Sequence, residues 1–119
     1  MLGYISGEYD ILRAKDLRKI DEAVQINRAK GNKYFAVAIY DTELCSRLGM
    51  DTPLKSTEDR AKIMEQIEGV DFTFIVDSAE ESEIVKKATE AYHEFLRKRE
   101  TIKPIGTKKI QNRICSRNL

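Results

Sequence analysis

The stretch LGYISGEYDILRAKD, residues 2–16, decides the expected fold, because it joins a predicted strand to a predicted helix. Its first residues, Leu2 to Ser6, are a short apolar run that ends at Gly7, which is typical of a buried parallel strand. Beyond the turn, side chains that recur near a 3.6-residue repeat predict a helix that ends at Gly31. They are Leu12, Leu17, Ile20, Ala23, Val24 and Asn27.

Two further segments predict strands. Residues 34–40, YFAVAIY, are almost continuously apolar, as in a strand that is covered on both faces. Residues 72–76, FTFIV, form the next run of this kind. Only one later segment, Thr101 to Ile105, is left in which a short fourth strand could form. The chain is therefore expected to contain three to four strands.

The segments between these strands predict helices. A helical turn is expected at Leu44 to Leu48. Ser56 is a good N-cap with Asp59 three residues on, so a helix should begin there. A long helix is expected from Ala79 to Lys98. Strands and helices in this alternation predict an α/β fold with a small parallel sheet and right-handed crossovers.

The composition is that of an ordinary globular protein. Of its 119 residues, 41% are hydrophobic and 34% charged, which is enough for one domain over residues 1–119 with a continuous apolar core. A net charge of +1 gives no electrostatic reason to expect nucleic-acid or membrane partners. No apolar run approaches the roughly 18 residues that span a bilayer. A cytoplasmic location is expected.

Residues 4–12, YISGEYDIL, resemble the opening of the cytidylyltransferase-like (nucleotidyltransferase) superfamily, and most closely that of glycerol-3-phosphate cytidylyltransferases. In that family a strand ends in a Gly-x-Phe-Asp turn, and a His-x-Gly-His signature begins the next helix. Gly7 and Asp10 match the turn, and Tyr9 takes the place of the phenylalanine. The signature positions fall on Arg13, Ala14, Lys15 and Asp16, so both histidines are replaced.

Three later segments extend the resemblance over most of the chain. Residues 35–44 are similar to the family's second strand, and residues 56–64 to its helix that opens with Glu-x-Arg, which places Arg60 at the arginine. Residues 105–110, IGTKKI, resemble the family's Ile-Ser-Thr-Thr-Lys-Ile. The resemblance implies one Rossmann-like α/β/α domain. It also implies a nucleotide- and phosphate-binding set, namely Gly7, Tyr9, Asp10, Arg60, Thr107 and Lys108.

The replaced histidines bear on catalysis, because nucleotidyl transfer depends on donors and cations that stabilise the charge on the phosphoryl oxygens. By resemblance, the catalytic positions are Arg13 and Asp16. Arg13 offers a fork of donors that suits phosphate. Asp16 at about 4 Å from a phosphate oxygen would repel it by roughly 4 kcal/mol, unless Mg²⁺ lay between them. Transfer activity is therefore expected to be lost or strongly weakened.

Structural interpretations of the same residues remain open. Gly7 and Asp10 also suit a tight strand-to-helix turn with an N-cap. Arg13 also suits a solvated helix face, and Thr107 also suits a plain helix start. Arg60 lies in a first helical turn, where a cation is unfavourable for the helix dipole, and this favours a role in binding an anion.

Three functions follow from these alternatives. The first is a divergent domain that retains binding of a nucleotide, CTP by resemblance, with Mg²⁺ as the cofactor only if a triphosphate binds. The second is an active enzyme of the glycerol-3-phosphate cytidylyltransferase type. The third is a non-catalytic interaction module that uses an exposed sheet edge, for example in a homodimer.

Overall fold

The computed structural model describes the backbone of residues 2–118 and the side chains of residues 2–99. Strands and helices alternate along the chain, so the α/β class predicted from the sequence is confirmed. The elements are β1 (Leu2–Gly7), α1 (Ala14–Ala29), β2 (Tyr34–Tyr40), α2 (Thr42–Arg47), α3 (Thr57–Glu65), β3 (Phe72–Val76) and α4 (Glu81–Asn118).

The described strands form one parallel sheet in the order β1-β2-β3. Gly3 lies opposite Phe35, and Ala36 lies opposite Phe72. β2 is the central strand, and residues 35–39 within it are all buried, which explains why the sequence there is continuously apolar. β1 and β3 are the edge strands of this part of the chain. The hypothesis of a non-catalytic interaction module requires an exposed edge strand of this kind, and it stays a prediction.

One face of the sheet packs against α1 and α3. The side chains of β2 that alternate onto this face contact buried residues of both helices. The cluster consists of Phe35, Val37 and Ile39 from β2, Ile20 and Val24 from α1, and Ala61 and Met64 from α3. Tyr4 and Phe74 pack edge to face, with ring centroids 6.4 Å apart. The core therefore fixes α1 and α3 relative to the carboxyl ends of β1 and β2.

Local capping places the two helices that follow β2. The hydroxyl of Ser56 accepts a hydrogen bond from the backbone N–H of Asp59 at 3.1 Å, so the predicted N-cap is confirmed. The carboxylate of Asp41 accepts one from the backbone N–H of Leu44 at 2.7 Å and caps α2. These caps satisfy N–H groups that a helix start leaves without partners.

The last helix differs from the sequence-based expectation. α4 begins at Glu81 and continues to Asn118, so the segment Thr101–Ile105 is helical and is not a fourth strand. Residues 94–103, EFLRKRETIK, contain no glycine and are mostly good helix formers, which explains why the helix does not end near Lys98. Since α4 is one continuous helix from Glu81 to Asn118, no helix starts at Thr107. Within the described residues, no helix combines the length and apolar character needed to span a membrane.

The chain divides into two compact units, Met1–Thr89 and Glu90–Leu119. The sheet, α1, α2, α3 and the start of α4 belong to the first unit. In the second unit, the rings of Tyr92 and His93 stack at a centroid distance of 6.3 Å, and His93 is exposed, as expected from the sequence. The site described next lies entirely in the first unit.

Candidate functional site

A cleft with a volume of about 700 Å³ opens at the carboxyl end of β1. The end of β1 and the following turn form one wall, and the loop at residues 51–54 forms another. The start of α1 contributes Arg13, Asp16 and Lys19. Ligands of open α/β sheets usually bind at the carboxyl ends of the strands. The position of the cleft therefore makes it the candidate binding site.

The cleft brings together most of the residues predicted from the sequence. Its lining includes Gly7, Tyr9, Asp10, Arg13 and Asp16. Arg60 is not among the lining residues. Thr107 and Lys108 lie outside the part of the chain whose side chains the structure describes.

Tyr9 adopts a left-handed backbone conformation, with φ of 51°, at the turn after β1. Such a conformation is strained for a side chain of this size. Its ring folds back over Gly7, where an added Cβ would lie 3.0 Å from two ring carbons. Burial, with a smaller contribution from the neighbouring Tyr40, raises the pKa of Tyr9 to about 12. The phenol is therefore neutral, and a side chain at Gly7 would require the Tyr9 ring to shift.

Asp10 connects the β1–α1 turn to the loop before α3. Its carboxylate accepts hydrogen bonds from the backbone N–H groups of Leu54 at 2.8 Å and Lys55 at 3.0 Å. The Lys55 ammonium donates to the Asp10 carbonyl at 2.6 Å. Both carboxylate oxygens therefore hold the loop. The N-cap of α1 is Arg13 and not Asp10, so the alternative N-cap role for Asp10 is wrong.

These contacts predict an acid-sensitive step in stability. The Leu54 N–H, followed by the Lys55 N–H and the charges of Lys55 and Arg60, holds the pKa of Asp10 below its usual 3.8, although burial opposes the shift. Since the folded-state pKa is depressed, the stabilisation is present above the unfolded pKa and is lost as the pH falls through the folded value. We expect urea midpoints to decline below about pH 4, and to decline less in Asp10→Asn than in Asp21→Asn. Equal declines in the two variants would contradict this role of Asp10.

Arg60 is fully buried at the carboxyl ends of β1 and β2. Its five N–H donors all bond to acceptors of the protein, at distances between 2.7 and 3.3 Å. The acceptors are the carbonyl oxygens of Glu8, Tyr40 and Lys55 and the hydroxyls of Thr42 and Thr57. The guanidinium therefore has no donor left for a ligand. This geometry argues against the phosphate-binding role expected for Arg60, which stays a prediction. The local sequence does not show the network, because the partners come from distant segments.

The start of α1 contains the two residues at the signature positions. The Arg13 backbone N–H donates to the Asp16 carboxylate at 2.9 Å, so Asp16 closes the first turn of the helix. The Arg13 side chain is exposed at the edge of the cleft. Asp16 thus has a structural partner, while Arg13 presents a cation to the cleft.

Ten lining residues were not in the set predicted from the sequence, among them Lys19, Asp51 and Leu54. Lys19 follows Arg13 and Asp16 at three-residue intervals, and this spacing was the available signal. Asp51 and Leu54 come from a loop whose approach to the β1–α1 turn depends on Asp10. Within the described residues, no group of three or more acidic, histidine or cysteine side chains is placed to hold a metal ion. The residues here do not fit a metal held by the protein alone.

The comparisons with known proteins support the fold. No family model matches the chain, and no curated protein sequence matches it. Among solved structures, the chain is similar to a lipopolysaccharide core biosynthesis protein from Thermoplasma volcanium, with a TM-score of 0.61 and 14% sequence identity. The alignment covers 72% of this chain and 66% of that chain, which is just under two thirds of its length. At this identity the likeness shows a shared α/β fold.

Proposed function

We propose that this chain is a divergent cytidylyltransferase-like domain that binds a nucleotide, with transfer activity that is lost or strongly weakened. The observation that carries the proposal is the cleft at the carboxyl end of β1, which gathers Gly7, Tyr9, Asp10, Arg13 and Asp16. The similar structure from Thermoplasma volcanium, a lipopolysaccharide core biosynthesis protein, supports the α/β fold that the proposal assumes.

The cleft offers both kinds of contact that a nucleotide needs. Its volume of about 700 Å³ lies in the range of small-molecule sites. Arg13 and Lys19 are exposed cations along one side, suited to phosphate oxygens. Ile11 and Leu54, which are 56% and 82% exposed, offer apolar surface for a base. A phosphate near α1 with the base toward these apolar residues is the binding mode that we propose.

The same geometry argues against efficient transfer. The chain has one histidine, His93, and it is not among the lining residues of the cleft. Arg60 uses its donors within the fold, and the Asp10 carboxylate holds the loop. Arg13 is the one residue at the signature positions that presents a cation to the cleft. Transfer requires several donors placed around the phosphoryl group, and this set is too small.

A titration of ¹⁵N-labelled protein with CTP and Mg²⁺ tests the proposal. We expect the backbone signals of Gly7, Glu8 and Arg13 to shift in a saturable manner. Arg13→Ala should weaken binding about tenfold, because a charge-assisted hydrogen bond to phosphate is removed.

Arg18→Ala is the matched control, because Arg18 is exposed on α1 and does not line the cleft. It should leave binding almost unchanged. Shifts that are scattered over the surface, or equal losses of affinity in both variants, would reject this site.

A further inference from the structure

The charged residues of the cleft limit the phosphate charge that it can hold. The acidic lining residues are Glu8, Asp10, Asp16 and Asp51, and the basic ones are Arg13 and Lys19. Asp10 is paired with Lys55, whose ammonium lies 4.0 Å from its carboxylate. Three carboxylates therefore face two cations, which leaves the lining with a net negative charge before any ligand binds.

Two other sources of positive charge in the described residues near the cleft, the Arg60 guanidinium and the start of α1, are already engaged. The Arg60 guanidinium is fully buried and donates to five acceptors of the protein. The Asp16 carboxylate closes the first turn of α1 and offsets the positive end of that helix. Arg13 and Lys19 thus remain as the two exposed cations of the lining.

Two cations match the charge of a single phosphate monoester, which is about −2 at neutral pH. A nucleoside triphosphate carries roughly twice that charge, and its outer phosphates would lie among the remaining carboxylates. Asp51, on the loop opposite α1, is exposed and lines the cleft. Its repulsion of the outer phosphates opposes binding of the triphosphate.

We infer that the cleft takes a nucleoside monophosphate in preference to a nucleoside triphosphate. This inference rests on the proposed function and specifies its ligand class. The single phosphate binds between Arg13 and Lys19, and the base contacts Ile11 and Leu54. The site then holds a nucleotide that cannot serve as the activated donor of a nucleotidyl transfer.

Calorimetric titrations with CMP and CTP in EDTA test the inference. We expect CMP to bind at least about tenfold more tightly, a difference of 1.4 kcal/mol. Added Mg²⁺ should narrow the difference, because it neutralises part of the triphosphate charge. Tighter binding of CTP without Mg²⁺ would overturn the inference and leave the proposed function intact. Failure of both nucleotides to bind would reject the proposed function itself.

Ribose 5-phosphate separates a nucleotide site from a general phosphate site. It carries the same phosphate monoester without a base, and we expect it to bind several times more weakly than CMP, since the contact with Ile11 and Leu54 is lost. Equal affinities would show that the cleft recognises the phosphate monoester alone and would overturn the assignment of a nucleoside ligand.

A charge reversal isolates the effect of the loop carboxylate. Asp51→Lys should raise the affinity for CTP about tenfold and that for CMP much less. Asp21→Lys is the matched control, because it makes the same charge change at an exposed residue of α1 that does not line the cleft. Equal gains in the two variants would attribute the effect to net charge and would overturn the argument from Asp51.

Discussion

Replacing Arg60 by alanine is expected to lower the free energy of unfolding by about 3–5 kcal/mol. The side chain is fully buried, and its removal leaves three carbonyl oxygens without the donor that they have now. Each unsatisfied buried polar group costs about 1–3 kcal/mol, and the vacated volume adds a cavity cost. The loss is a large part of the stability of a typical domain.

The position of these acceptors explains why the loss should be concentrated at the cleft. Glu8 follows β1, Tyr40 ends β2, and Lys55 precedes α3. One guanidinium therefore joins three segments that are separated along the chain. Without it, the wall formed by residues 51–54 loses a connection to the β1–α1 turn, so nucleotide binding should weaken as well.

Urea unfolding monitored by circular dichroism measures the effect. Arg60→Lys should be intermediate, because lysine keeps the charge but has three donors and no planar fork. Lys62→Ala is the matched control on the same helix, since Lys62 is exposed, and it should change stability by less than about 0.5 kcal/mol. If Arg60→Ala were as stable as Lys62→Ala, the buried network would not stabilise the fold.

Gly3→Ala is expected to destabilise the protein by about 2–4 kcal/mol, although Gly3 lies in a regular strand. An added Cβ would lie 1.8 Å from the Asn27 side-chain oxygen. Asn27 is buried, donates to the Tyr34 carbonyl at 2.9 Å and accepts from the Asn32 amide at 2.7 Å. The methyl group must displace this side chain and break both hydrogen bonds.

Two further variants separate the steric cost from other effects of substituting glycine. Gly49 has φ of 77° and open space around it, so Gly49→Ala should cost only about 1–2 kcal/mol from backbone strain. The double variant Gly3→Ala with Asn27→Ala removes the side chain that clashes. The urea midpoint of the double variant should be higher than the value expected if the decreases caused by the two single substitutions simply added. Strict additivity would show that the Asn27 side chain is not the cause.

The pattern of the sequence was sufficient for the strands and for one helix start. β2 and β3 have the predicted bounds. For the central strand β2, the reason is that a strand covered on both faces requires an apolar residue at nearly every position. The N-cap at Ser56 depends on atoms three residues apart and is visible locally. The end of α4 was missed, because Pro104 and Gly106, which usually end a helix, both lie within α4.

The candidate site was predictable in position but not in the roles of its residues. Gly7, Tyr9, Asp10, Arg13 and Asp16 are close in sequence, and the structure places them around one cleft. Lys19 lies on the same helix as Asp16. The loop residue Asp51 reaches the cleft because Asp10 binds the backbone of residues 54 and 55, more than forty positions away. Contacts between residues so far apart along the chain leave no pattern in the local sequence.

Arg60 shows most clearly what each level determines. By itself the sequence determined that a cation lies in the first turn of α3, where the helix dipole disfavours it and some compensating negative charge is needed. Only the tertiary structure decided that the compensation comes from carbonyl and hydroxyl oxygens of the protein, including Glu8, which is 52 residues away. The physical reason is that short-range patterns set the strands, helices and caps, whereas the packing of distant segments decides which donors remain free for a ligand.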